Sequence, residues 1–372
     1  MEHGIIYPDT QSAAFPGICE TKAGTWISTF RTAPEKNTVT GQRLNVCRSC
    51  NRGQTWSEPE VPFSGTSVNG KPGLFRGGYC TPLPDGTILM VLCWVDHSDP
   101  SLPFYNTETE GLLDTRIFLS RSADDGITWE KPVLIDTSPF TVPTPITGPV
   151  LIGENEWVLQ FELNKHYRDT EKWIHSSVLM FSRDQGESWP EYRVLSRDPD
   201  IFYWDQRPAF TGSRKMLNLF WTFDRKQAEY RNIHGSISED SGRSWSEFFD
   251  TAIPGQPAQP GCLENGMYCM VYIDRRGEPE IRITFSKDRG KTWEPGETLY
   301  RHTKPGTEEY RKQNMNDAWD EMGKFSAGLP CTHRLRNGDL LISFYAGPVT
   351  DRTAIHWILI SREELSVLAG ER

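Results

Sequence analysis

A five-residue run in the middle of the chain contains several side chains that can bind a ligand or take part in catalysis, more than the segments beside it. It reads Tyr203-Trp204-Asp205-Gln206-Arg207. The two aromatic rings offer flat apolar faces on which a sugar ring can stack. Arg207 can bind a carboxylate or sulfate through two parallel hydrogen bonds. Asp205 can instead serve as the ion-pair partner of Arg207, so the run predicts either a ligand site or a charged pair of the scaffold.

A second stretch is rich in carboxylates. Five acidic residues lie between Asp96 and Asp114, and we select Asp96, Glu108 and Glu110 as candidate acid–base groups. Cleavage of a glycosidic bond normally requires two carboxyl groups, one protonated and one ionised. The alternative is a solvated acidic loop without a catalytic role. His97, in the same stretch, is either a further acid–base group or a plain hydrogen-bond partner.

The elements that position these residues are indicated by a repeated motif, Ser-x-Asp-x-Gly-x-(Ser/Thr)-Trp. Its spacing predicts a tight turn between two strands. The third residue accepts backbone hydrogen bonds, the glycine supplies a positive φ angle, and the tryptophan buries a large ring. Five copies in order predict a repeat architecture. The copies are SCNRGQTW (49–56, with Asn51 in place of Asp), SADDGITW (122–129), SRDQGESW (182–189), SEDSGRSW (238–245) and SKDRGKTW (286–293).

Strand and turn patterns around these motifs predict an all-β, six-bladed β-propeller of four-stranded antiparallel blades. We expect residues 1–372 to form one domain, with a strand at residues 3–8 that completes the last blade and closes the ring. The long connections all lie on the face opposite the repeated turns. Long loops carry binding sites more often than short turns do.

This topology gives a rule for selecting site residues that is independent of any motif. Functional side chains should stand at the start of an innermost strand or at the end of a second strand, around the central axis. The rule adds candidates to the two stretches above: Arg31, Arg76, Tyr79, Glu162, His166, Asp224 and Arg275.

The repeated turn resembles the Asp-box of the sialidase (neuraminidase) superfamily, whose fold is a six-bladed β-propeller. The resemblance implies a carbohydrate substrate and, in that family, an arginine triad, a tyrosine nucleophile with a glutamate partner, and an aspartate acid/base. This sequence departs from the pattern at two places. Ala13-Ala14-Phe15-Pro16 keeps the proline of the first-strand motif without its arginine, and Phe325 to Pro330 contains no tyrosine. Arg76, Arg207 and Arg275 are the candidates for a carboxylate site built from other blades.

The amino-acid composition limits the classes of molecule that we expect the protein to bind. The chain of 372 residues carries a net charge of −10 and no Lys/Arg run, which argues against nucleic acid and anionic membranes. The eight scattered cysteines predict structural thiols, and no ligand spacing indicates a metal or cofactor. The first residues lack a basic start followed by an apolar core, so we expect a cytoplasmic protein, although a chain trimmed of a leader would look the same.

The sequence therefore predicts a sialidase-like enzyme acting on a carbohydrate, most plausibly an exo-acting glycoside hydrolase. The catalytic candidates are Asp96, Glu110, Asp205 and Asp224. Two alternatives remain open: a polysaccharide lyase on uronate-containing glycans, and a non-catalytic propeller that binds a glycan or a protein. The substrate-binding candidates are Arg31, Arg76, Tyr79, His97, Trp204, Gln206, Arg207 and Arg275.

Overall fold

The computed structural model describes residues 1–264, 266–303 and 312–370. Its strands form six antiparallel sheets in chain order, as the turn motifs predict, and the sheets are the blades of a β-propeller. No helix in these ranges is both long and apolar enough to cross a membrane.

The first three blades contain strands β2 to β14. Blade one has three strands, and a single bridge from Val46 to Glu60 stands where the fourth would be. The bounds are, for blade one, β2 (Ser12–Glu20), β3 (Trp26–Ala33) and β4 (Arg43–Ser49); for blade two, β5 (Thr66–Val68), β6 (Lys71–Pro82), β7 (Ile88–Asp96), β8 (Thr115–Ser122) and β9 (Val133–Leu134); for blade three, β10 (Pro143–Thr144), β11 (Val150–Leu151), β12 (Trp157–Leu163), β13 (His175–Ser182) and β14 (Glu191–Asp198).

The other three blades follow the same order, and β1 (Glu2–Tyr7) pairs with β27 at the outer edge of blade six. The bounds are, for blade four, β15 (Ile201–Gly212), β16 (Lys215–Asp224), β17 (Glu229–Tyr230), β18 (Asn232–Ser238) and β19 (Phe249–Pro254); for blade five, β20 (Gln256–Pro257), β21 (Gly261–Cys262), β22 (Tyr268–Asp274), β23 (Glu280–Ser286) and β24 (Glu297–Arg301); for blade six, β25 (Ala327–Arg334), β26 (Leu340–Val349) and β27 (Arg352–Ile360). In the described part of the chain there are also two helices, α1 (Met315–Lys324) and α2 (Arg362–Leu368).

All five repeated turns use one hydrogen-bond network. In the copy at residues 182–189, the Ser182 hydroxyl accepts from the backbone N–H of Gly186, and Asp184 accepts from Ser188 N. Asn51 makes the equivalent bonds in the first copy, which explains why the substitution there is tolerated. The two central residues of each turn have positive φ angles, for example Arg52 at +57° and Gly53 at +82°. Two successive positive φ angles are typical of the tight hairpin turn that matches strand twist.

The first of these turns also joins blade one to blade six. A Cβ on Gly53 would lie 2.8 Å from both the Trp26 ring of blade one and the Trp357 ring of blade six. Those two rings pack edge to face with centroids 5.5 Å apart. The glycine is therefore required both by the backbone angle and by the contact that closes the ring of blades.

We expect Gly53→Ala to lower the free energy of unfolding clearly more than Gly212→Ala. Both glycines have φ between +80° and +90°, so each substitution carries the left-handed backbone cost of about 1–2 kcal/mol. No atom lies within 4 Å of the Cβ position at Gly212, whereas two tryptophan rings obstruct it at Gly53. Urea unfolding of both variants measures the difference, and equal losses would show that the Trp26–Trp357 contact does not restrict this turn.

Candidate functional site on the propeller axis

All six innermost strands are interrupted at the same level. β2, β6, β15 and β25 each contain an irregular step in their pairing, at Phe15, Arg76, Asp205 and Leu329 respectively. In blades three and five the innermost strand is split into two pairs of residues, β10 with β11 and β20 with β21. A bulge leaves a residue unpaired and turns its side chain away from the regular alternation. The interruptions therefore supply side chains to the propeller axis.

A cavity of about 170 Å³ lies where these interruptions meet, and we call it the central cavity. Its wall contains residues from all six blades. Phe15, Asp205 and Leu329 have φ angles of +55°, +48° and +48°, which side chains other than glycine seldom adopt. Strained backbone of this kind is concentrated at functional sites. The wall includes Phe15, Lys36, Arg76, Ile146, Glu162, Asn164, Trp204, Asp205, Trp221, Gln256, Arg275, Trp319, Phe325, Leu329 and Tyr345.

Asp205 is the most perturbed carboxyl group in this wall. Burial, together with the nearby charge of Glu162, raises the pKa of the Asp205 carboxyl to about 6. Its Oδ2 accepts a hydrogen bond from Nε2 of Gln256. The Gln256 amide is oriented in turn by Arg275, whose Nη2 donates to Oε1 at 2.8 Å. Among the described residues no hydrogen bond to Oδ1 of Asp205 is present, so Oδ1 is free to carry the proton of the neutral form.

Glu162 supplies the second carboxyl group. It lies near the end of β12, and Oε2 is 2.9 Å from Nε2 of His175, which is fully buried. An N–H at that position donates to the carboxylate and fixes its orientation. Glu162 and Asp205 both lie in the wall of the central cavity, and the charge of Glu162 contributes to the raised pKa of Asp205. One carboxyl with a raised pKa and a second held by a donor form the pattern that acid–base catalysis requires.

Three cations lie in the same cavity wall as these carboxyl groups. The Arg76 guanidinium lies between the rings of Phe15 and Phe104, 5.0 and 4.2 Å from their centroids, and burial lowers its pKa to about 10. No hydrogen bond to its buried Nη1 is present in the described part of the chain. Arg275 lies over Phe325 at 4.1 Å, and burial lowers its pKa also. A buried donor without a partner is costly, so Nη1 of Arg76 retains an unused hydrogen-bonding capacity.

Lys36 is the third cation and also holds the roof of the cavity. Its Nζ donates to the carbonyl oxygens of Met322, at 2.7 Å, and of Phe325, at the C-terminal end of α1. Burial lowers the pKa of Lys36, with smaller contributions from Arg275, Arg31 and Arg76. A cation near the last carbonyls of a helix is favourable because it opposes the helix dipole.

The roof itself consists of α1 and the long blade-two loop. Tyr105 of that loop stacks on Trp319 of α1 with centroids 4.5 Å apart and an interplanar angle of 14°. Its hydroxyl donates to Oδ1 of Asn316 at 2.6 Å, and Asn316 donates to Thr107 O at 3.0 Å. The acidic loop therefore contributes structure and aromatic surface to the cavity rather than its carboxylates.

Five of the candidates that the sequence analysis selected lie in the cavity wall: Arg76, Glu162, Trp204, Asp205 and Arg275. The three other catalytic candidates form ion pairs outside it. Asp96 pairs with Lys71 at 3.3 Å, Asp224 pairs with Arg231 at 2.6 Å, and Glu110 pairs with Arg225. We had expected these carboxylates at the opening of the propeller axis, on the face that carries the long loops. They lie where arginine or lysine side chains from adjacent segments neutralise them.

The remaining binding candidates do not line the cavity either. Arg31 is fully buried and donates to Gln42 and to the carbonyl oxygens of Lys36 and Thr38, so it supports the loop that carries Lys36. Gln206 donates to Phe161 O and Val178 O, which ties blade four to blade three. Arg207 donates to Ile146 O. His97 is half-buried beside the blade-two loop. Tyr79 lies in a separate cavity further along the axis, and burial raises its pKa.

Sequence reasoning missed several members of the wall. Lys36, Gln256, Trp319 and Tyr345 were not selected, and Glu162 was selected by topology but not as a catalytic group. Gln256 follows a glycine with φ of +107° at the start of an innermost strand, a signal that the topological rule could have used. Trp319 reaches the site through an inserted helix, which no strand pattern indicates. Within the described residues, no group of three or more His, Cys, Asp or Glu side chains is arranged to hold a metal ion.

The fold and the repeated turns agree with known proteins. A family model for the BNR repeat-like domain matches residues 93–340. A sialidase from Bacteroides fragilis (strain YCH46) is 22% identical over 327 residues, which are 78% of this chain and 56% of that protein. The chain thus spans little more than half the length of this curated relative.

Two solved structures share the whole propeller. A protein of unknown function from Dyadobacter fermentans DSM 18053 superposes with a TM-score of 0.74 at 18% identity, covering 97% of this chain and 98% of that one. An α-L-arabinanase from Penicillium chrysogenum, solved with arabinobiose, gives 0.62 at 15% identity, covering 98% and 99%. The family model covers well over half of the 372 residues, and so the chain belongs to the BNR repeat-like domain family of the sialidase superfamily.

Proposed function

We propose that this protein is an exo-acting glycoside hydrolase that uses Asp205 as general acid and Glu162 as general base. The observation that carries the proposal is the carboxyl pair in one cavity, of which one member has a pKa raised to about 6. Relatives named as a sialidase and an α-L-arabinanase support a carbohydrate substrate. The cavity is small and lies at the end of the axis, which suits recognition of a terminal sugar.

The proposed reaction follows from the positions of the protons. Protonated Asp205 donates from Oδ1 to the glycosidic oxygen as the bond to the anomeric carbon breaks. Glu162, held by the N–H of His175, takes a proton from the water that attacks that carbon. The aromatic wall of Trp204, Trp221 and Trp319 packs on the apolar face of the sugar and excludes water. Arg76 and Arg275 orient hydroxyl or anionic substituents of the same ring.

A lyase is the second candidate because of one further contact. Tyr345 Oη lies 3.3 Å from Lys36 Nζ and lines the cavity with Arg76 and Arg275, so a base and charge-neutralising groups are present together. However, burial raises the pKa of Tyr345 and so opposes the phenolate that a base would need. Chromogenic sialosides, uronides, rhamnosides and arabinosides distinguish the reactions, because hydrolysis releases the aglycone whereas a lyase leaves an unsaturated uronide. Turnover of none of them would favour the non-catalytic binding propeller.

We expect Asp205→Asn and Glu162→Gln each to reduce kcat by about a hundredfold or more on the accepted glycoside, as is typical for loss of a general acid or base. Asp224→Asn is the matched control. Asp224 is a buried carboxylate of the same blade, but it pairs with Arg231 outside the cavity. Circular dichroism of all three variants checks folding. Full activity of Asp205→Asn, or a loss in Asp224→Asn as large as in the others, would contradict the assignment.

The pH dependence of kcat/KM provides an independent test. A general acid must be protonated, and the protonated fraction of Asp205 falls as the pH rises through its pKa of about 6. We therefore expect kcat/KM to decrease about tenfold per pH unit above pH 6. Residual activity of Asp205→Asn should lack this decrease. A profile that stays flat from pH 5 to pH 8 in the unmodified protein would exclude Asp205 as the acid.

A further inference from the structure

A second, larger cavity of about 470 Å³ lies beside the central cavity on the same face, and we call it the blade-three cavity. It is formed by the end of β12, the start of β13 and the end of β14, which all lie on the face opposite the repeated turns. Its wall includes Phe140, Leu163, Trp173 and Val194 as apolar surface.

The two cavities are neighbours because Asn164 belongs to the wall of both. The Asn164 side chain donates to Thr144 Oγ1 at 2.9 Å, and its backbone N–H donates to Val142 O at 3.2 Å. These bonds fix Asn164 at the end of β12, between the two cavities. Glu162 lies two residues before it in the central cavity, so a ligand that extends radially from the proposed catalytic groups passes over Asn164 into the blade-three cavity.

The blade-three cavity carries positive charge on a protein whose net charge is −10. Lys165 is 8% exposed, and its Nζ donates only to the backbone oxygen of Glu171, at 2.6 Å. Within the described ranges, the Arg197 guanidinium has no hydrogen bond or ion pair, and no carboxylate is paired with Lys165. Lys172 pairs with Asp200 at 3.0 Å, and of the residues that the structure describes, Asp169 alone contributes a carboxylate to the wall.

A buried ammonium with a single neutral acceptor retains two N–H donors and an uncompensated charge. An anion in the cavity would accept hydrogen bonds from these donors and would neutralise the charge. Arg197 adds a planar guanidinium with free donors, the group best suited to a carboxylate or sulfate. The apolar wall of Trp173, Phe140 and Leu163 supplies the surface that a sugar ring needs beside its charged substituent.

We propose that the blade-three cavity binds an anionic sugar residue, with a carboxylate or sulfate group, that is linked to the sugar held in the central cavity. The inference rests on the proposed glycosidase function and specifies its substrate as an acidic oligosaccharide. The leaving group then carries the negative charge, and Lys165, Lys172 and Arg197 hold it while the bond is cleaved.

Direct binding measurements test the proposal without requiring turnover. We would use the full chain carrying Asp205→Asn, since the amide resembles the protonated carboxyl in shape and stops the reaction. Isothermal titration with a hyaluronan tetrasaccharide supplies the carboxylate probe, a chondroitin 4-sulfate tetrasaccharide supplies the sulfate probe, and chitotetraose is the neutral control. We expect at least one acidic probe to bind more tightly than chitotetraose, and more weakly as the salt concentration rises.

Added to this background, Arg197→Gln and Lys172→Gln together should weaken binding of the acidic probe by about tenfold or more and leave chitotetraose unchanged. Arg193→Gln is the matched control, because Arg193 lies on the same strand, donates to Arg243 O and does not line the cavity. The proposal is overturned if the double variant binds the acidic probes as tightly as its parent, or if neither probe binds better than chitotetraose. A different result would count against the catalytic assignment alone: the unmodified protein cleaves no glycoside in the screen, while the acidic probe still binds and the substitutions of Lys172 and Arg197 still weaken its binding.

Discussion

The interruption of every innermost strand at one level is the constraint on which the site depends. A regular strand alternates its side chains between the two faces of a blade, so it directs neither set at the propeller axis. A bulge or a break removes that restriction at a chosen residue, at the expense of ladder hydrogen bonds and of positive φ angles at Phe15, Asp205 and Leu329. The regular outer strands and the five repeated turns hold the backbone in this conformation. The regular structure on the turn face thus maintains the strained backbone at the site.

Convergence of six strands on one small volume also determines the electrostatics. Lys36, Arg76 and Arg275 lie together in the wall, and burial lowers the pKa of each. Removal from water disfavours the charged form of each group, which is why the same burial raises the pKa of Asp205. Arg207 and Arg275 act in the opposite direction on Asp205, but burial and Glu162 outweigh them. The raised pKa of the proposed acid and the lowered pKa values of the three cations are consequences of one desolvated volume, so changes in the roof affect both.

The sequence predicted the propeller and the order of its blades because those features follow from local patterns. Five copies of one turn, each with its own serine, aspartate or asparagine and glycine, mark hairpins regardless of their surroundings. The site was predicted only in part. Trp204 and Asp205 were selected from a run of aromatic and charged residues, and Arg76 and Arg275 from their expected places beside an innermost or second strand; all four lie in the cavity wall. Asp96 and Asp224 stand at the ends of second strands and Glu110 lies in the long blade-two loop, yet each of these three pairs with an arginine or lysine. Strand position does not reveal pairing between distant segments, and it gives no indication that α1 brings Trp319 to the cavity.

The distribution of charge would give the proposed binding face its selectivity. An excess of ten negative charges repels a polyanionic chain at most orientations, while the central and blade-three cavities, which share Asn164 in their walls, both contain cations. The electric field of cations in a cavity with low-dielectric walls is concentrated at the opening of that cavity. The attraction for an anionic chain therefore acts over a narrow region of an otherwise repulsive surface. An acidic chain therefore meets favourable potential only when its end enters the central cavity and its next residue lies over blade three. The same arrangement that admits an end would disfavour internal attack, which agrees with the exo-acting mode that we propose.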